Sequence, residues 1–117
     1  KVLSNSVSVF DTKARNEEKE SSYHIYALRI KNFTEEQRDR MIDEIAKAEV
    51  AVNVHFIPMP MLSFFKSLGY DIKNYPQAYE NFKGEISLPI YPQLDEEQLN
   101  FIINVVKAAY ITVAGTE

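Results

Sequence analysis

The 117-residue chain has no cysteine, so disulfides, thiolate metal sites, iron–sulfur clusters and cysteine nucleophiles are excluded, and a reducing, cytoplasmic setting is expected. Its two histidines are too few for a three-histidine metal centre. Glycine occurs only at positions 69, 84 and 115, which leaves neither a Walker loop nor a dinucleotide fingerprint, since both cluster glycines where the backbone must approach a phosphate. No apolar run nears the roughly 20 residues of a membrane span, and the beginning lacks a signal-type core. Basic runs are missing too. With 13 Lys+Arg against 17 Asp+Glu the formal charge is -4, and the electrostatic footprint of a nucleic-acid binder is absent. The chain does not open on Met, as expected of a piece of a longer polypeptide.

What is present is an ordinary globular composition, 45% hydrophobic and 26% charged, enough for one core. Residues 1–22 divide into a weakly apolar piece, Val2 to Phe10, and a polar run to Ser22, and read as a lead-in segment or linker before a domain spanning 23–117. Tyr23 to Lys31, rich in aromatic and branched residues, predicts an inner strand covered on both faces. Thr34 with Gln37 matches a capping box, and Met41, Ile42 and Ile45 follow at helical spacing, so 34–48 predicts an amphipathic helix. Val50 to Ile57 alternates, with Val50, Val52, Val54 and Phe56 on one side and Ala51, Asn53 and His55 on the other, as a strand with a polar face would.

Pro58 and Pro60 stop that strand, and Met61, Phe64, Phe65 and Leu68 predict a short helix ending at Gly69. One or two helical turns are expected after Pro76, with a stop at Gly84. Ile86, Leu88 and Ile90 predict a further strand, which Pro89 confines to an edge or to a point where pairing ends. Asp95 and Gln98 form a second capping box, Leu94 faces Leu99 as a staple, and Leu99, Ile102, Ile103, Val106, Tyr110 and Val113 continue as a stripe. The order of elements gives an α+β fold of two layers, a small, mainly antiparallel sheet with helices on one face.

Chemistry is sparse. Ser63 and Lys66 spell a Ser-x-x-Lys, but the companion signatures of penicillin-recognising hydrolases are missing and Lys66 lies off the apolar stripe, so it reads as a solvated lysine. The pairs Glu35/Glu36 and Glu96/Glu97 fall in first helical turns, where negative charge suits the helix dipole. The Tyr and Phe residues, seven of each, read as core, because a base-stacking platform would need interleaved cations.

Three stretches taken together, SSYHIYALRI, NVHFIPMPMLSFFKSLGYDIKNYPQAYE and ISLPIYPQLDEEQLNFII, resemble the C-terminal small domain of nucleotide-sugar aminotransferases of the DegT/DnrJ/StrS type. The likeness runs from about Ser21 to Val106. It implies a pyridoxal phosphate enzyme whose large cofactor-binding domain is absent here, with a small domain closing over a cleft at a homodimer interface and no membrane or nucleic-acid partner. The reaction implied moves an amino group, from glutamate in the first instance, onto a keto-sugar nucleotide in polysaccharide or sugar biosynthesis. None of the nine lysines, at 1, 13, 19, 31, 47, 66, 73, 83 and 107, falls in the family's cofactor motif, so the fragment alone is expected to be inactive and to bind no cofactor.

Carried over by position, His24 and Tyr26 match the family's strand beside the active-site mouth, and His55 with Phe56 matches the segment approaching the sugar nucleotide. These four are the expected substrate-binding residues, with no catalytic or metal residue in this chain. Two departures stand out: Pro60 replaces a second family histidine, and the usual glycine near the end of the first helix is replaced around Glu49, where a less regular helix exit is expected. The competing reading is a stand-alone, non-catalytic α+β module for ligand binding or regulation. An independent enzyme using His24 or His55 as a base ranks last, because no adjacent nucleophile or acid can be placed.

Overall fold

A computed structural model describes residues 7–9, 18, 20 and 22–115. Strand β1 (Val7–Val9) pairs antiparallel with β2 (Tyr26–Ile30), which pairs antiparallel with β3 (Glu85–Leu88), in the order β1-β2-β3. The registers set Val9 opposite Leu28, Leu28 opposite Ile86 and Arg29 opposite Glu85. Part of the expected lead-in is thus the sheet's outer strand; most of its polar run lies outside the described residues. β2 is the inner strand, as its two-sided apolar pattern predicts. It begins at Tyr26 rather than Tyr23, and Tyr23 itself sits at φ 54, in the left-handed region where a strand cannot run.

The helices are α1 (Glu35–Lys47), α2 (Ser63–Ser67), α3 (Pro76–Lys83) and α4 (Glu96–Ala114), with single 3-10 turns at Met59–Met61 and Ile72–Asn74. Both capping boxes form in full, Thr34 with Gln37 and Asp95 with Gln98, each side chain bonded to the other's backbone N–H. The end of α1 is held differently. Glu49 takes φ 60, the left-handed position that glycine usually fills after a helix, and its N–H donates to the Ala46 carbonyl at 2.9 Å.

Leu28, Ile30 and Ile86 point to one face of the sheet and meet Met41 and Ile45 of α1 and Ile102, Val106, Ala109 and Val113 of α4 in a single core. Phe33, just past β2, is buried there and stacks on Tyr110 at 5.9 Å. The α+β reading of one antiparallel sheet with its main helices on one face therefore holds. The α4 stripe needs correction. Leu99 and Ile103 are exposed and Ala109 is buried in their place, so the buried line is 102, 106, 109, 113, the spacing of four and three that follows one side of a helix. Leu94 packs against the core, but its staple partner Leu99 does not.

On the opposite face of the sheet Ala27 stands with the polar Arg29, Glu85 and Ser87. Arg29 bonds Asn81 of α3, while Glu85 and Ser87 turn toward the 50–57 segment. Helix α3 is fixed to α1 by Arg38, whose guanidinium lies 4.7 Å over the Phe82 ring and donates to the Phe82 carbonyl at 2.9 Å. Gly84 joins α3 to β3 where nothing larger fits: a Cβ there would lie 2.5 Å from the Ile30 carbonyl oxygen.

Candidate functional site

The 50–57 segment is not the strand its alternation predicts. It makes one antiparallel bridge, Asn53 with Ser87, in which each residue's N–H donates to the other's carbonyl, at 3.2 and 2.7 Å. In such a ladder the next reciprocal pairs fall two residues away, Ala51 with Pro89 and His55 with Glu85. Pro89 has no N–H to give. At the other pair the His55 N–H donates to the Glu85 side chain, Oε2 at 3.0 Å, instead of to a main-chain carbonyl. Both continuations are cut, and a gap opens where the strand would have run.

That gap is a cleft of about 320 Å³ lined by His24, Ile25, Ala51, Val52, Asn53, His55, Ser87, Leu88, Pro89 and Ile90. His24, upstream of β2, and His55, in the interrupted segment, thus meet on one cavity. Tyr26 stands outside the lining, opposite Leu88 in the β2–β3 register. Phe56 also lies outside it and is 72% exposed, its ring edge-on to the His55 ring at 4.6 Å. The structure brings two of the four expected residues into the cleft and leaves two on its border.

Sequence reasoning missed Asn53, Ser87 and Glu85 as parts of this site. Their signal was the alternation of Glu85 and Ser87 with Ile86 and Leu88, which marks a strand with one polar face. Glu85 is buried, and its Oε1 accepts from the Ser87 hydroxyl at 2.5 Å. The His55 Nδ1 is buried without a hydrogen-bond partner, a polar atom of the kind that a ligand or a covering group normally satisfies.

Imidazole, amide and hydroxyl groups on an otherwise apolar wall can exchange hydrogen bonds with a neutral polyol and cover its apolar faces. Pyridoxal phosphate does not fit these residues. It requires a lysine amine for covalent attachment and a cup for its phosphate, and no lysine or arginine lines the cleft. Lys66 and Ser63, the rejected hydrolase pair, are both exposed on α2. Among the described residues no cluster of His, Asp and Glu could hold a metal ion, and no helix is long and apolar enough to cross a membrane.

Residues 3–107 match the sequence pattern of the DegT/DnrJ/EryC1/StrS aminotransferase family. The chain belongs to that family. A solved relative is Spr1654 of Streptococcus pneumoniae, assigned to the sugar aminotransferases; its apo form is 37% identical with a TM-score of 0.87, covering 94% of this chain and 27% of that one. MJ1066 of Methanocaldococcus jannaschii is 34% identical over 88 residues, 74% of this chain and 23% of that protein. The UDP-4-amino-4,6-dideoxy-N-acetyl-beta-L-altrosamine transaminase of Campylobacter jejuni serotype O:2 is 29% identical over 94 residues, 80% of this chain and 24% of the enzyme. This DegT-family chain thus spans about a quarter of the length of the relatives it matches, and its Val7–Val9 strand lies inside the matched region.

Proposed function

We propose that the chain is the small domain of a pyridoxal phosphate aminotransferase that transfers an amino group from an amino acid, glutamate in the first instance, to a keto-sugar nucleotide. The cofactor, its lysine and its phosphate cup belong to the remainder of a longer polypeptide that works as a homodimer in the cytoplasm, and this portion alone is inactive. When bound there, the cofactor supplies the electron sink for amino transfer. His24, His55, Asn53 and Ser87 contribute hydrogen bonds to the sugar nucleotide, with Tyr26 and Phe56 shaping the mouth.

The observation carrying this reading is the convergence of His24 and His55 on one cation-free cleft in a chain of this family. At about 320 Å³ the cleft sits at the small end of ligand pockets, roughly 300–1,000 Å³. It has room for a sugar rather than for a whole sugar nucleotide, so the rest of the ligand must lie on another surface. Phe56, Ile57, Met59, Leu62, Phe64 and Leu68 are exposed on the adjoining stretch. An apolar run of that kind is normally covered by further protein, and the rest of the polypeptide is its expected cover.

The test uses the complete polypeptide, titrated with UDP-4-amino-4,6-dideoxy-N-acetyl-β-L-altrosamine, the compound that names the Campylobacter relative. His55→Ala is expected to weaken binding about tenfold, the worth of roughly one hydrogen bond, while the absorbance of bound cofactor is retained. Unchanged binding would remove His55 from the site. Reading the gene upstream of Lys1 is expected to reveal a frame encoding the lysine-bearing domain; a start codon directly before Lys1 would favour the stand-alone module.

A further inference from the structure

We propose that Glu85 is a positioning residue, whose carboxylate holds the His55 segment against the cleft; the proposal rests on the reading of that cleft as the sugar-nucleotide surface. Glu85 is only 5% exposed, a degree of burial glutamate seldom reaches without paired partners. Both of its oxygens are engaged, Oε2 by the His55 backbone N–H at 3.0 Å and Oε1 by the Ser87 hydroxyl at 2.5 Å. Arg29 of β2 stands directly opposite Glu85 in register, which puts a positive residue on the same face of the sheet as the buried carboxylate.

The arrangement is unusual in what it joins. Upstream, the segment is tied to β3 by the reciprocal Asn53–Ser87 pair. The Val54 N–H turns back on the Asn53 side chain at 2.8 Å, a local bond that fixes nothing to the sheet. Glu85 carries the tie two residues further, to a residue that lines the cleft. A bond from a backbone N–H to a carboxylate is roughly twice as strong as one to a neutral carbonyl. It holds the backbone of His55 without engaging its ring, whose Nδ1 has no hydrogen-bond partner. Ser87 lines the cleft as well, so one carboxylate fixes both the His55 backbone and the Ser87 hydroxyl, and a sugar meeting these two residues together has less to order on binding.

The experiment again uses the complete polypeptide, with Glu85→Ala, Glu85→Gln and His55→Ala compared by amide hydrogen exchange and by titration with the same UDP-aminosugar. In Glu85→Ala, exchange at the His55 amide is expected to quicken about tenfold, the loss of one charge-assisted bond, while the Asn53 amide keeps its protection. Binding weakens by about the same factor. Glu85→Gln, which retains one neutral acceptor oxygen and with it about half the strength of the bond, is expected to reduce both losses to about threefold. Unchanged exchange at His55, or acceleration spread evenly over β3 and α4, overturns the proposal, the second because it marks a merely structural carboxylate. Weaker binding in His55→Ala with undiminished binding in Glu85→Ala overturns it as well. Quickened exchange with binding unchanged in both variants overturns instead the reading of the cleft as the ligand surface, and so separates the two failures.

Discussion

Replacing Ile102 by alanine and, separately, its neighbour Ile103 by alanine measures which side of α4 carries the core. The two residues sit 100° apart around the helix, Ile102 at 8% exposure and Ile103 at 39%. Each replacement removes three carbons, worth about 2.4 kcal/mol of transfer free energy when fully buried. At Ile102 the lost atoms also leave a void in the core that relaxes only in part, adding about 1 kcal/mol. At Ile103 more than a third of the surface already faces water and no closed void forms, so the transfer loss is about 1.5 kcal/mol. Alanine returns about 0.4 kcal/mol of helix propensity at both positions. The expected costs are therefore about 3 kcal/mol for Ile102→Ala and about 1 kcal/mol for Ile103→Ala. In urea unfolding of this chain, with a slope of about 1.5 kcal/mol/M, the midpoints should fall by about 2 M and about 0.7 M. Equal losses, or a larger loss at Ile103, would show that α4 is rotated from the position described and would restore the stripe that includes Ile103.

Three further outcomes follow from the backbone and from one titrating group. Glu49→Gly should stabilise the chain by about 0.5–1 kcal/mol, because the left-handed φ of 60 strains any side chain with a Cβ; a lower thermal midpoint would mean that the glutamate side chain itself holds the helix end. Gly84→Ala should cost about 2–3 kcal/mol, since the new Cβ would lie 2.5 Å from the Ile30 oxygen, and wild-type stability in urea would refute that close approach. Tyr79 holds its proton more firmly than an ordinary tyrosine at 10.0, first because its hydroxyl bonds the Glu35 carboxylate and then because of burial. The folded form thus binds that proton more tightly than the unfolded one, so its stabilisation is complete below pH 10.0 and fades as pH rises through the raised value. Tyr79→Phe should therefore flatten the alkaline limb of the stability curve, and parallel limbs in the two proteins would dismiss the bond.

The elements whose signals are local were legible in the sequence. Thr34 with Gln37 and Asp95 with Gln98 act within one helical turn, Gly69 ends its helix at φ 92, and the turns after Pro76 became α3 with Gly84 as its cap. Pro89 marks the point where β3 stops. What remained hidden depends on contacts made at long range. The buried line on α4 could not be told from the apolar stripe beside it, because Leu99, Ile103 and Ile111 are as apolar as the residues that reach the core. Only the placement of α1 and the sheet chooses between them. Val7–Val9 became a strand because β2 offered it an edge, not because three residues announce one.

The segment from Val50 to Ile57 is the instructive failure, because the reason it is not a strand is also the reason there is a site. Its alternation holds over the first half, where Val50 is buried and Val52 packs against the core while Ala51 and Asn53 are exposed, but fails at Phe56, which the pattern puts on the apolar side and which is exposed. Alternation describes the segment's own two faces, however, and a ladder also needs donors and acceptors on its neighbour. That neighbour has Pro89 where a donor is required, and at Glu85 the His55 N–H is drawn to a carboxylate. Had the ladder closed, the main chain would have filled the space between Ala51 and Pro89, and His55 would have been one more residue on a polar sheet face. With the ladder cut at both ends, His55 is instead held by a side chain beside an open cleft that also takes in His24, Asn53 and Ser87. A substitution that repaired the ladder, such as Pro89→Val, should therefore lengthen the strand at the expense of the cleft, raising stability to urea while weakening sugar-nucleotide binding. A gain in both would refute the link between the broken pairing and the site.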